Sequence, residues 1–183
     1  MNVEFYNQIK NSSAHTQSRL DNAKYVIQNI DLLPELIEYS FNISDKQHIR
    51  ATSILDKNFE INIELSMQYI DLIIDYLYKL KNDSAIRVIS RILIAIVQFN
   101  TKKIKTNSGF LTDNQLEKIS EACFDWFIGD YRVAVKHNSL LTLFEIGKKI
   151  DWIYPELRIL LEKQVNFPSP AYKSIVKKIL NLI

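Results

Sequence analysis

Three glycines and four prolines are few for a chain of 183 residues. Average usage would supply roughly a dozen glycines and nine prolines. Hairpins and phosphate loops consume glycine, because they need backbone conformations that a Cβ disfavours. The shortage argues against a hairpin-rich sheet, and neither glycine fingerprint, of a P-loop or of a dinucleotide-binding turn, is present. Helices joined by short capped corners need little of either residue, so an all-α chain is expected. Cysteine is scarcer still. Cys123 stands alone, so no internal disulfide can form and a reducing compartment is expected. Charge of one sign is also missing. The 23 basic and 21 acidic residues leave a formal charge of +2, too balanced for a protein that grips nucleic acid mainly by neutralising phosphates. Long apolar runs are absent: residues 92–99 are interrupted by Gln98 and preceded by Arg91, so no membrane span is expected. Met1-Asn2-Val3-Glu4 starts neither a signal nor a transit peptide. A cytoplasmic protein follows as the expectation.

What is present is ordinary globular material, 47% hydrophobic and 24% charged, enough for one domain with a continuous core. Helix starts are marked by capping residues. Asp31 precedes Leu32-Leu33-Pro34, with proline tolerated in the first turn. Ser44, Asn62 and Asp83 precede further helical patterns, and Ser169 precedes Pro170. Thr112-Asp113-Asn114-Gln115 has the form of a capping box. These signals predict about ten helices, at 2–10, 16–30, 32–42, 45–58, 63–81, 84–100, 113–128, 130–148, 154–166 and 170–182. The segment 63–81 is apolar over most of its circumference. Only Glu64, Gln68, Asp71, Asp75 and Lys79 form a narrow polar stripe, so this helix needs neighbours on two sides.

A weak repeat runs through the chain. Arg50, Arg87, Lys136 and Lys173 each sit near the start of a helix and precede an apolar run. Their spacings of 37, 49 and 37 residues, read from those positions, approximate the roughly 40–47 of HEAT and armadillo units. The longer gap holds the polar, lysine-bearing stretch 101–109. Four helix pairs are expected over 32–58, 63–100, 113–148 and 154–182, with residues 1–30 as cap helices of a single domain, 1–183. Such pairs bury their apolar faces only by stacking.

Asp45, Asp83 and Asp130 precede these second helices, and aspartate, basic residue and apolar run together resemble the second helix of a HEAT repeat. Phe124-Asp125-Trp126-Phe127-Ile128-Gly129, then Val133-Ala134-Val135-Lys136, then Asp151-Trp152-Ile153-Tyr154-Pro155-Glu156-Leu157, are similar to a group of short bacterial HEAT-like proteins of unknown function. That group often carries the label adenylosuccinate lyase. The resemblance implies a short right-handed α-α superhelix, a HEAT- or armadillo-like solenoid. The lyase label meets an obstacle in the residues. Lyases of that superfamily carry a serine loop of the form Ser-Ser-x-Met-Pro-x-Lys-x-Asn, whereas the prolines here follow Leu33, Tyr154, Phe167 and Ser169.

No other catalytic or metal pattern stands out, and no cofactor is expected. His15, His48 and His137 lack ligand spacing, and His137 shares an arc with Val133, Leu140 and Phe144. Asp71 and Asp75 read as a solvated stripe, and Cys123 as a buried, inert thiol. Phe124, Trp126 and Phe127, and likewise Tyr69, Tyr76 and Tyr78, read as core aromatics rather than base-stacking platforms. The remaining feature is basic. Arg87, Arg91 and Gln98 share the polar face of 84–100, and Arg50, Arg132, Lys136, Lys173 and Lys177 are expected along the same ridge of second helices. The candidate binding residues are Arg50, Arg87, Arg91, Arg132, Lys136 and Lys173. A non-enzymatic module binding an acidic protein segment is the expected function. A nucleic-acid-binding protein, akin to HEAT-like proteins that handle alkylated DNA, is the alternative, disfavoured by the charge balance. Solvated surface is the competing reading of the basic residues themselves.

Overall fold

A computed structural model describes residues 2–164 and 169–183. Residues 165 and 166, the expected end of the ninth helix, lie outside the described residues. Within them the regular structure is helical, with ten α-helices and no strand. The chain divides into two compact units at Ile92 and Leu93.

The first unit holds α1 (Val3–Asn11), α2 (Thr16–Gln28), α3 (Leu33–Phe41), α4 (His48–Ile61), α5 (Ile70–Tyr76) and the first part of α6 (Asp83–Ile104). α4 lies at its centre and packs against α1, α2 and α3. Ile54 and Leu55 from α4 meet a core that includes Leu33, Leu36, Ile37, Ala23 and Val26, all fully buried. Thr52 and the amide nitrogen of Asn58 on α4 bond inward, whereas Asn58 Oδ1 and His48 Nε2 are buried without a hydrogen-bond partner among the described residues. Asn58 Nδ2 donates to the Ala23 carbonyl at 3.0 Å, and Thr52 Oγ1 donates to Ser40 O and His48 O. A buried polar group without such partners would be costly.

Starts or caps differ from the expectation at several helices; the eighth helix, for one, begins at Val133 rather than 130. α4 begins at His48 rather than 45, because residues 42–47 form a turn of their own. There Asp45 Oδ1 accepts the Gln47 amide and Asp45 O receives His48 Nδ1. α6 is capped by Asn82, whose Oδ1 accepts the amides of Ser84 and Ala85, and Asp83 becomes the first helical residue. Ser169 occupies its cap position but makes no side-chain capping bond.

The stretch 63–81 is not one α-helix. Residues Ile63–Tyr69 are 3-10, Ile70–Tyr76 are α, and Leu77–Lys79 are 3-10 again. A three-residue period aligns Ile63 with Ser66. Ser66 is buried, its hydroxyl donating to Ile63 O at 2.7 Å, while Met67, expected inside, is exposed. From Ile70 onward the α period returns, and Ile70, Ile73, Ile74 and Leu77 are buried.

α6 bears on the expectation that no segment spans a membrane. By length and composition, with a mean hydropathy of 1.3 over its best window, it could cross a membrane. Of that window 61% is buried inside the protein, so its apolar side already faces protein.

The second unit holds the rest of α6, α7 (Asp113–Ile128), α8 (Val133–Ile146), α9 (Ile153–Gln164) and α10 (Pro170–Leu180). α7 and α9 pack on α8, and α10 packs on α8 and α9. Thr112 and Gln115 form the expected reciprocal box at the start of α7, with bonds of 3.2 and 2.9 Å. α6 runs to Ile104, further than expected. Asn107 then turns left-handed at φ 56°. The Ser108 amide reaches Lys103 O and the Asn107 amide reaches Ile104 O, which closes the helix as a Schellman motif does. Asn100, buried in α6, accepts the amides of Phe110 and Leu111 at 2.8 and 3.0 Å. That carboxamide ties the following loop back to the helix.

Candidate functional site

The six expected binding residues divide between the units. Arg50, Arg87 and Arg91 belong to the first, and Arg132, Lys136 and Lys173 to the second. Their surroundings differ more than the repeat suggests.

Arg87 and Arg91 lie one turn apart on the exposed side of α6, with Gln98 exposed further along. Arg91 is held from behind. Its Nε and Nη2 donate to the two carboxylate oxygens of Asp56 on α4, at 2.9 and 2.6 Å. The Asp56 side chain is 6% exposed and that of Arg91 is 51% exposed. A guanidinium has five N–H donors in a rigid fork. Two of them engage Asp56, so the other three can point outward in a fixed plane.

Arg50 is exposed, but its guanidinium already donates to the Lys10 carbonyl at 2.5 Å and to Gln47 Oε1 at 2.7 Å. It closes the C-terminal turn of α1, where carbonyls lack helical partners. Arg132 is exposed at the N-cap position of α8. Lys173 is half-buried on α10. Lys136 departs from the expected ridge: it is only 9% exposed, and its Nζ donates to Phe127 O at 3.2 Å. Phe127 is in the last turn of α7, so the ammonium satisfies an orphan carbonyl at the negative end of the helix. Its chemistry is capping, and it does not project into solvent.

Two of the candidates for chemistry, Cys123 and His48, are buried. Cys123 is fully buried, and burial pushes its thiol up to about 12, against weaker opposition from the Thr142 and Ser139 hydroxyls. His48 is buried with Nδ1 on Asp45 O at 2.7 Å. His15 is exposed and His137 half-buried. Among the described residues no three His, Cys, Asp or Glu side chains converge as a metal would require. Asp71 and Asp75 are exposed. Two open clefts lie in the first unit, one of about 550 Å³ along α1 and α2 and one of about 420 Å³ beside Glu35, Glu38 and Tyr39. In the second cleft burial and the Glu35 carboxylate raise the Tyr39 phenol well above its usual range, the Tyr39 hydroxyl donating to Glu35 at 2.8 Å.

The aromatics split. Trp126 and Phe127 are core, as expected. Phe124 is only half-buried, and its ring stacks on Trp152, which is 43% exposed. Tyr78 is 78% exposed. Beside Phe124, α7 carries an exposed acidic row at four-residue intervals, Asp113, Glu117, Glu121 and Asp125. The sequence reading missed that row, although its spacing alone places it on one helical face.

No protein-family model, no curated protein and no solved structure matches this chain.

Proposed function

We propose that this protein is a non-enzymatic cytoplasmic binding module, a short HEAT- or armadillo-like solenoid whose second helices offer arginine to an acidic segment of another protein. Packing inside each unit supports the solenoid reading. α3 pairs with α4, α7 with α8 and α9 with α10; the cap helix α2 lies on α4, and the second helices α8 and α10 also meet. Contact between the second helices of successive pairs is how such arrays stack.

The observation that carries the binding reading is the Arg87–Arg91 strip on α6. Arg91 is pre-oriented by a buried carboxylate, which reduces the side-chain entropy lost on binding. Arg87 supplies a second fork one turn away. Planar forks match carboxylates bidentately. Asp56 neutralises Arg91 in part, so the strip recognises by geometry more than by a broad positive field. This favours a few well-placed glutamates or aspartates over a polyanionic backbone, and with it a protein partner over nucleic acid. The active strip is narrower than the six expected residues: Lys136 caps a helix and Arg50 closes α1.

The test is binding of a labelled oligoglutamate peptide and of a DNA duplex, followed by fluorescence anisotropy at fixed salt. The wild type is expected to prefer the peptide, and Arg87→Glu to weaken it about tenfold, the size of one lost charged pair. Equal peptide binding by Arg87→Glu overturns the assignment to this strip, and tighter binding of the duplex overturns the protein partner. No lyase activity is expected. Cleavage of adenylosuccinate above a heat-treated control would overturn the non-enzymatic reading.

A further inference from the structure

The second unit carries a face of opposite character. At about 100° per residue, Glu117, Glu121, Phe124, Asp125 and Ile128 share roughly a third of the circumference of α7. The buried Leu116, Ile119, Cys123 and Phe127 occupy the other side. Glu117, Glu121 and Asp125 are exposed, and Ile128 is 60% exposed. The Phe124 ring lies 5.7 Å from that of Trp152, at an interplanar angle of 24°. Single exposed apolar side chains need no explanation, but a cluster rimmed by polar groups marks an interaction surface.

The charges decide what fits. Asp113 heads the acidic row but is paired with Lys149 at 2.5 Å. The open negative charge therefore begins at Glu117 and runs beside the apolar cluster to Asp125. An anionic polymer is repelled there, and a purely apolar ligand would leave the carboxylates desolvated without partners. Ile128 follows Phe124 by one turn, so the apolar strip suits side chains spaced as on one helix face. Aromatic anchors such as Trp152 are the usual centres of binding energy.

We propose that this face of α7, with Trp152, binds a cationic amphipathic segment of another protein. Its apolar side chains seat on Phe124, Ile128 and Trp152, and its lysines or arginines meet Glu117, Glu121 and Asp125. The site is independent of the arginine strip on α6 and opposite to it in sign.

The probe is a synthetic amphipathic leucine–lysine peptide about four turns long, with a leucine–glutamate peptide as its counterpart. Trp126 is 4% exposed, so acrylamide quenching of the full-length protein reads mainly Trp152, and Trp152→Phe checks that assignment. The leucine–lysine peptide is expected to shield Trp152 and shift its emission to shorter wavelength. The pair Glu117→Lys with Glu121→Lys should weaken binding at least tenfold, while Arg87→Glu leaves it unchanged. If circular dichroism shows the charge-reversed chain misfolded, Glu117→Gln with Glu121→Gln carries the same test. Unchanged binding by the charge variants, equal binding of the leucine–glutamate peptide, or no shielding at all overturns the proposal. Self-association in sedimentation that Ile128→Asp abolishes also overturns it, by making a second copy the occupant.

Discussion

Arg91 in the first unit and Lys136 in the second both belong to the basic series read from the sequence, yet they end in different places. Arg91 keeps about half of its side chain in water, at 51% exposure, while its inner edge holds the buried Asp56. Lys136 is 9% exposed and its ammonium sits on the Phe127 carbonyl. The difference is one of chemistry as well as position. A guanidinium can engage a carboxylate on one side and still present donors on another. An ammonium is a point charge on a flexible stem, and a helix C-terminus can take it in whole. The same basic series thus supplies a presentable cation in one unit and a helix cap in the other.

Alkali should separate the two units most strongly. Burial raises the Cys123 thiol in the second unit to about 12, from an ordinary 9, and raises the Tyr39 phenol in the first above its ordinary 10. In each case the folded state holds the proton more tightly than the unfolded chain. The stability this contributes is complete below the unfolded value and is lost as pH rises toward the folded one. The second unit should therefore begin to weaken above pH 9 and the first above pH 10, as followed by peptide-resolved hydrogen exchange. Cys123 should resist a thiol reagent at pH 9 until urea exposes it. Prompt labelling of the folded protein would contradict the buried thiol.

The next effect is at Arg91. Arg91→Met removes the partner of a buried carboxylate, and unfolding in urea should show a loss of about 2–3 kcal/mol, below that for a fully buried pair because Arg91 is half-exposed. Introducing Asp56→Asn as well should recover part of it. A loss indistinguishable from zero would mean that Asp56 is hydrated and Arg91 is not pre-oriented. Lys136→Met keeps the stem and removes one hydrogen bond to a neutral carbonyl, so about 1 kcal/mol is expected. A loss equal to that at Arg91 would erase the distinction between the two cations. Thr112→Ala, in the same unit, should likewise cost about 1 kcal/mol through the lost N-cap, measured as a shift of denaturation midpoint. The smallest effect is expected at Arg87, where Arg87→Ala should stay within about 0.5 kcal/mol, as exposed surface substitutions do.

Much of this was legible in the sequence, where the signal is local. The box at Thr112 and the bounds of α7 depend on residues within one turn. The 3-10 segment Ile63–Tyr69 was not legible, because its apolar residues suit either period and only the burial of Ser66 separates the two. The start of α4 was obscured by a turn that Asp45 organises with Gln47 and His48. The stacked Phe124 looked like core because its neighbours Trp126 and Phe127 are core, and its partner Trp152 is remote in sequence.

The sequence by itself determined helical structure, most helix limits and the exposed polar face of α6, because capping and the 3.6-residue period act between near neighbours. Only the tertiary structure decided which cations remain available. Arg91 meets an aspartate 35 residues earlier in the chain, and Lys136 meets the carbonyl end of another helix. Whether a charged side chain faces water or protein depends on what packs beside it, and helical periodicity carries no information about that neighbour.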